Sequence, residues 1–231
     1  MNGAECLLRT LLAQGIDLCV MNPGTSEMQF VAALDRVPEM RGVLCLFEGV
    51  CSGAADGYAR MLDRPAAALF HLGPGLGNGL ANLHNARKAH SPVVAIVGEH
   101  TTGHLLYDAP LTADIPAFAE PVSGYIETVQ CPEDMCEAAT RVVRAAFGPP
   151  GQVATLIVPA DHSWSPAGDS VQPPDGAKPV RKRPDSARIS EARRILQSGP
   201  RAGLLIDGSA GREHGLDAAG RIAAATGARV F

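Results

Sequence analysis

The sequence predicts an α/β fold in which a parallel sheet carries helices on both faces. Short apolar runs alternate along the chain with segments of helical periodicity, a pattern typical of βαβ units. The apolar runs are continuous rather than alternating, which indicates strands that are buried on both faces. In sheets of this kind, ligands bind beyond the carboxyl ends of the strands.

The first helix and strand are predicted from the start of the chain. Apolar residues recur at helical spacing over 4–12, and Gly15 supplies a stop. Residues 17–21 then form a short apolar run that we interpret as a buried strand. The turn-forming segment 22–24 ends it.

Two strand–helix pairs follow. Residues 43–47 predict a second strand, directly followed by a helix rich in Gly and Ala that begins with Glu48. Residues 66–72 predict a third strand, which leads through a glycine-rich loop over 73–79 into a helix that ends near Ala89.

Two more strands complete the predicted sheet, over residues 93–97 and 153–158. Because the carboxyl ends of parallel strands share one edge, Asn22, Glu48 and His71 are expected at the same rim. This rim is the predicted ligand site.

A change of composition near residue 165 predicts the end of the first domain. Pro, Gly and charged residues over 165–185 indicate a linker, and we interpret its basic run, 181–183, as solvated charge. The segment 186–231 has the pattern of a helix followed by a β-α-β unit and is too short to bury a core. We therefore expect a first domain over 1–164, a linker, and the start of an incomplete α/β domain.

The composition argues against several classes of protein. The chain has 231 residues, of which 46% are hydrophobic and 19% charged, as in ordinary globular proteins. The net charge of -4 gives no reason to expect nucleic acid or an anionic membrane as a partner. Without a signal peptide or a run of membrane-spanning length, a cytoplasmic location is expected. We interpret Cys6, Cys19 and Cys45 as small buried hydrophobic residues rather than disulfide partners.

Four motifs occur together and in the same order as in a known family. They are NPGTSE at 22–27, the segment 46–60 around Glu48, HLGPGLGN at 71–78, and SPVV at 91–94. Through them, residues 1 to about 161 resemble the N-terminal, pyrimidine-binding domain of thiamine-diphosphate enzymes of the acetolactate synthase and benzoylformate decarboxylase family. From about residue 186, the resemblance continues into the family's central domain.

The resemblance implies a cofactor, thiamine diphosphate, and the residues that bind it. Glu48 would activate the cofactor through its aminopyrimidine, and His71 would assist proton transfer around a 2-oxo acid substrate. Thr25 would lie near the substrate carboxylate. The other implied cofactor contacts are Pro23, Gly24, Gly75 and Asn78.

The resemblance also implies parts that this sequence does not supply. In the family, Mg²⁺ and the diphosphate are held by a Gly-Asp-Gly motif in a C-terminal domain. The segment most similar to this motif here is Asp207-Gly208-Ser209. The family's site forms between two chains, so a homodimer or tetramer is expected. Without that second half, the isolated chain is expected to be inactive.

Other interpretations stay open. Glu48 is also the kind of acid that the helix dipole favours at a helix start, and His71 could serve a structural role. The glycines of 73–79 suggest a degenerate nucleotide-binding loop, although Asn78 and Leu80 break the dinucleotide spacing. A non-catalytic dimerisation or regulatory module is a further alternative. His71 favours a decarboxylase and Gly73-Pro74-Gly75 a synthase, so the reaction also stays open.

Overall fold

The computed structural model describes residues 1–168, 171, 183–198 and 202–231. It divides into two units, Met1–Val180 and Arg181–Phe231. Most of the predicted linker, with two of its three consecutive basic residues, lies outside the described residues. No helix within the described ranges combines the length and apolar content needed to cross a membrane.

The first unit is built on a six-stranded sheet with strand order β2-β1-β3-β4-β6-β5. Every neighbouring pair of strands is parallel, so the predicted fold class is confirmed. The strands are β1 (Leu18–Asn22), β2 (Arg41–Leu44), β3 (Ala66–His71), β4 (Val93–Glu99), β5 (Tyr125–Thr128) and β6 (Val153–Pro159).

Helices cover both faces of this sheet. Their bounds are α1 (Gly3–Ala13), α2 (Met28–Leu34), α3 (Glu48–Leu62), α4 (Leu72–Lys88), α5 (Ile115–Ala119), α6 (Met135–Phe147) and α7 (Ala160–Trp164). Successive residues of β3 serve opposite cores: Leu69 packs with α1, α2 and α6, whereas Phe70 packs with α3, α4 and α5. This division explains why β3 is apolar at every position from Ala66 to Phe70.

The second predicted strand is shorter than expected. β2 ends at Leu44, and Leu46 and Phe47 are exposed in the connection to α3. β2 is an edge strand that pairs with β1 alone, so the apolar run continues past the last residue that has a strand partner. The expectation of a buried strand over 43–47 was therefore wrong in extent, and it was wrong in burial too, because Leu44 is 65% exposed.

The predicted glycine-rich loop is helical. α4 begins at Leu72, directly after β3, and contains the whole run 73–79. Part of the reason is close packing, because a Cβ on Gly79 would lie 2.8 Å from the ring of Phe70 in β3. Glycines that usually indicate a loop here let a helix approach a strand.

Cys6 of α1 and Cys136 of α6 form a disulfide, with their Cα atoms 5.9 Å apart. Cys6 is buried as expected, but its interpretation as an unpaired hydrophobic residue was wrong. The two cysteines are 130 positions apart in the chain, and neither has a spacing motif that marks a pair. Cys19, Cys45, Cys51 and Cys131 are free.

The second unit contains a small parallel pair of strands. Its described elements are α8 (Ser186–Leu196), β7 (Gly203–Leu204), α9 (Glu213–Thr226) and β8 (Arg229–Val230), with β7 parallel to β8. The predicted order of helix and strand is observed. Among its described residues, the buried apolar side chains are Ala219 and Ala228.

Candidate functional site

Three polar residues lie at the carboxyl edge of the first unit's sheet. Asn22 is the last residue of β1, His71 is the last residue of β3, and Glu48 is the first residue of α3. β1 and β3 are neighbours in the sheet. The strands therefore deliver side chains that are far apart in sequence to one region.

Glu48 is oriented by a side chain from the next helix. Asn78 of α4 donates a hydrogen bond from Nδ2 to Glu48 Oε2, at 3.0 Å. Asn82, one turn further along α4, donates to the carbonyl oxygen of Gly49 at 2.8 Å. α4 thus fixes both the start of α3 and the direction of its first carboxylate, whose side chain is half-buried.

Gly75 keeps the space beside the second carboxylate oxygen clear of side chains. A Cβ at this position would lie 3.5 Å from Glu48 Oε1 and 3.5 Å from the Cβ of His71. The same glycine therefore borders both residues. The fold thus brings Glu48 next to His71, Gly75 and Asn78, which come from a different motif of the sequence.

His71 is paired with a carboxylate that the sequence analysis did not assign to the site. Its Nδ1 lies 2.8 Å from Oε2 of Glu27, whose side chain is 2% exposed, whereas the side chain of His71 is 22% exposed. Oε2 of Glu27 also accepts a hydrogen bond from the backbone N–H of Gly24 at 2.7 Å. Burial raises the pKa of the Glu27 carboxyl, and the hydrogen bonds from Gly24 and His71 oppose this.

Two glycines make room for this pair. A Cβ on Gly24 would collide with the imidazole of His71, and a Cβ on Gly98 of β4 would collide with the carboxyl group of Glu27. Oε1 of Glu27 is buried and makes no hydrogen bond to the described residues. The position of Glu27 thus depends on two places where a larger residue cannot fit.

One sequence signal could have identified Glu27. The segment from Gly24 to Glu27 has a glutamate three residues after a possible helix cap, which is half of a capping-box pattern. In the structure that glutamate does bind back to the Gly24 N–H. Its contact with His71 bridges 44 residues of sequence, and no local pattern predicts it.

Thr25 and Pro23 complete the β1 side of the site. Thr25 is exposed and opens a single 3-10 turn over Thr25–Glu27, while Pro23 is half-buried. Neither is hydrogen-bonded to Glu48 among the described residues, so the structure does not join them to that carboxylate. Their implied roles stay predictions.

Other chemistries have weaker support. Burial raises the pKa of the Cys51 thiol to about 12, so this cysteine, one turn after Glu48, holds its proton at neutral pH. Within the described ranges, no three His, Cys, Asp or Glu side chains are grouped as metal ligands. Asp161 and His162 have different partners, Thr102 and the Val129 carbonyl, which does not form a hydrolase triad.

Comparisons with known proteins identify similar chains. Residues 1–116 match the family described as thiamine pyrophosphate enzyme, N-terminal TPP binding domain. The chain is 53% identical over 229 residues to IlvX of Mycobacterium tuberculosis, which is named provisionally as an acetolactate synthase large subunit; the match covers 99% of this chain and 44% of that protein. It is 31% identical over 163 residues to benzoylformate decarboxylase of Pseudomonas aeruginosa, covering 70% of this chain and 30% of that one.

A solved structure has the same fold. The thiamine diphosphate-dependent 4-hydroxybenzoylformate decarboxylase of Rhodococcus jostii RHA1 superposes with a TM-score of 0.88 at 22% identity, over 100% of this chain and 44% of that chain. This chain therefore spans less than half the length of the proteins that it matches.

Proposed function

Because the chain belongs to the thiamine-diphosphate-dependent enzymes, through their N-terminal cofactor-binding domain, we propose that it binds the aminopyrimidine end of thiamine diphosphate. We further propose that it serves an enzyme that decarboxylates 2-oxo acids. The observation that carries this proposal is the half-buried Glu48, held by Asn78 beside a glycine at the ligand-binding edge of the sheet.

The residues of this edge fit a flat heterocycle. Asn78 uses Oε2 of Glu48, which leaves Oε1 to pair with a donor on a ligand. Gly75 borders the same oxygen, and a side chain there would fill the space beside it. A carboxylate that is directed by a neighbouring amide and next to a bare backbone suits a planar ring with a protonated nitrogen.

The proposed roles of the protein groups follow from these contacts. When bound, thiamine diphosphate supplies a nucleophilic carbon for the keto group and an electron sink for the decarboxylation. Glu48 holds a proton between Oε1 and the pyrimidine nitrogen, and Asn78 fixes its direction. His71 exchanges a proton with the substrate, and Thr25 hydrogen-bonds the substrate carboxylate. Pro23, Gly24 and Gly75 form the wall against the ring.

The proposal divides the cofactor between two parts of an enzyme. Residues 1–164 would hold the pyrimidine half, and residues 186–231 would begin a central domain after the linker. Mg²⁺ and the diphosphate would be held by a further domain, in keeping with the larger length of the relatives. The chain on its own would then bind the cofactor weakly and turn over no substrate.

We also propose that the chain assembles with a second copy through α3. On this helix Val50, Ala54, Gly57 and Met61 are exposed at helical spacing and form one stripe, which we call the α3 stripe. Met61 is 82% exposed and Val50 is 56% exposed. Apolar side chains that share one face in this way favour burial against another protein surface.

The reaction class is tested with two substrates. Relatives named as acetolactate synthases and as a benzoylformate decarboxylase both support decarboxylation of a 2-oxo acid as the shared step. His71 favours a decarboxylase, so benzoylformate is expected to release carbon dioxide. Acetolactate formed from pyruvate would instead assign the chain to the carboligases.

The experiment measures cofactor binding and turnover by the chain, with and without a diphosphate-binding domain taken from the mycobacterial relative. We expect tight binding of thiamine diphosphate with Mg²⁺, and release of carbon dioxide, only in the mixture. Glu48→Gln should lower turnover by roughly 10²–10⁴-fold, because the neutral amide of glutamine cannot exchange a proton with the pyrimidine nitrogen. Glu39→Gln, at an exposed position, is the matched control.

Three results would contradict the proposal. Normal turnover by Glu48→Gln would remove this residue from the role. Assembly with the added domain without cofactor binding would favour a regulatory module. Binding of NAD or AMP in place of thiamine diphosphate would favour a nucleotide-binding domain.

A further inference from the structure

Glu27 contacts His71 of the candidate site but takes no part in the proposed cofactor contacts. The residue is 3% exposed, and its side chain is hydrogen-bonded to Gly24 and His71. Few carboxyl groups are so deeply buried without a guanidinium or ammonium partner. Oε2 of Glu27 instead faces one backbone N–H and one imidazole nitrogen, at 2.7 Å and 2.8 Å.

The backbone contact assigns the direction of the other hydrogen bond. The Gly24 N–H can only donate, so Oε2 of Glu27 is an acceptor. A carboxyl proton, when one is present, then belongs on Oε1, which makes no hydrogen bond to the described residues. We assign Nδ1 of His71 as the donor at 2.8 Å, because a hydroxyl proton on Oε2 would leave the poorer acceptor of the carboxyl group facing the Gly24 N–H.

The surrounding residues hold the imidazole in this orientation. Gly24 lies against the ring so closely that a Cβ would collide with it, and Gly98 lies equally close to the Glu27 carboxyl group. The two groups are thus confined from both sides. A hydrogen bond at one imidazole nitrogen determines which nitrogen carries the proton.

We propose that Glu27 is a positioning residue that keeps the proton of neutral His71 on Nδ1, so that Nε2 is the nitrogen that exchanges a proton at the site. The structural part of this proposal concerns His71 alone. The catalytic part rests on the proposed function, because it assumes that Nε2 meets a bound substrate. Glu27 itself touches neither substrate nor cofactor.

The test determines the tautomer of His71 by ¹⁵N NMR in the 231-residue chain, at a pH at which the imidazole is neutral. We expect the Nδ1–H form in the natural sequence. Glu27→Gln should retain this form, because its amide oxygen can accept from both Gly24 and His71. Glu27→Met keeps the volume but removes the acceptor, so the Nε2–H form should appear.

Glu99→Met provides the matched control. Glu99 ends β4, is also buried, and accepts a hydrogen bond from the backbone N–H of His100 at 2.8 Å. Its replacement removes a second buried carboxyl group from the same sheet and should leave the tautomer of His71 unchanged. A general loss of packing would affect both methionine variants.

Two NMR outcomes would overturn the proposal: the Nε2–H form in the natural sequence, or an unchanged Nδ1–H form in Glu27→Met. The first outcome is measured on the natural sequence, so it can be obtained even when Glu27→Met fails to fold. In the assembled enzyme, Glu27→Met should lower kcat by about 10²-fold with little change in KM, and Glu27→Gln should recover part of this loss. An enzyme without thiamine-dependent turnover would refute the proposed function and leave the tautomer result valid.

Discussion

At the scale of single residues, two carboxylates near one edge of the sheet have different environments and different proposed tasks. Glu48 is half-buried and receives an amide hydrogen bond, so it can meet a ligand. Glu27 is buried beneath the edge and receives hydrogen bonds from Gly24 and His71. The first suits a direct partner of the cofactor, and the second suits a group that acts through another residue.

Another buried carboxyl group, that of Glu99, should make the stability of the fold depend on pH. Burial raises its pKa above the ordinary value of 4.5. In the window between that value and the raised pKa, the folded protein binds the proton more tightly than the unfolded chain does. The free energy of unfolding therefore falls as the pH increases through this window.

Glu99→Gln removes that dependence. We expect the stability of the variant, relative to the natural chain, to increase as the pH is raised through the window, by about 1.4 kcal/mol for each unit by which the pKa is raised. Urea unfolding at a series of pH values measures the difference. A difference that is constant with pH would show that the Glu99 carboxyl titrates alike in both states.

Candidate site residues could be selected from the sequence only where a motif carried them. Glu48, His71, Gly75 and Asn78 were selected through the family resemblance, and the fold brings them together. Glu27 stands inside one of the same motifs but received no role. Its importance depends on burial and on a contact across the sheet, and neither is encoded in local spacing.

At the scale of elements, the alternation of strands and helices was sufficient to predict the parallel sheet. Boundaries were less predictable at the site itself. The apolar run that begins at Val43 continues beyond the end of β2, because β2 pairs with β1 alone and that pairing ends at Leu44. Hydrophobicity therefore did not indicate where this strand ends. The weakly apolar strand β5 and the helix α6 were not predicted, although α6 packs directly on the sheet.

Two glycines of α4 allow the effect of a substitution on stability to be distinguished from its effect on cofactor binding. Gly75 and Gly77 both lie within this helix, where alanine is favoured over glycine by about 0.5–1 kcal/mol. A Cβ on Gly75 would lie 3.5 Å from Glu48 Oε1, whereas a Cβ on Gly77 would meet no atom within 4 Å. The two positions thus differ in what a methyl group would obstruct.

We therefore expect Gly75→Ala and Gly77→Ala to raise the thermal midpoint alike and to differ in cofactor affinity. Gly75→Ala should weaken thiamine diphosphate binding in the assembled enzyme, because its methyl group occupies space beside the carboxylate. Gly77→Ala should bind as the natural sequence does. Thermal unfolding and calorimetric titration measure the two effects, and equal affinities would place the ligand away from Gly75.

At the scale of the whole molecule, the two units differ in how much apolar surface they bury. The first has a separate core on each face of its sheet, whereas the described residues of the second bury Ala219 and Ala228. The sequence analysis expected little burial after the linker because the segment 186–231 is short, and its assignment as the start of a further domain stays a prediction. It could not predict which surface of the first unit is left apolar.

The α3 stripe, an exposed apolar surface of the first unit, leads to a prediction about self-association. Met61 extends from the stripe and is 82% exposed, so Met61→Lys should be tolerated by the folded chain and should place a charge in the proposed contact between two copies. Burying an unpaired ammonium group is costly, and the dissociation constant of the dimer should rise at least about tenfold. Analytical ultracentrifugation over a range of concentrations measures it.

The control for this measurement is Leu106→Lys, at a position that is 84% exposed in the turn Leu105–Tyr107, outside α3. Both substitutions add one positive charge at an exposed apolar residue, so a general effect of charge on association would appear in both. Weaker association in Met61→Lys alone would place the contact on α3. Equal dissociation constants for both variants and the natural chain would mean that the copies associate through another surface, and a chain that stays monomeric would refute self-association.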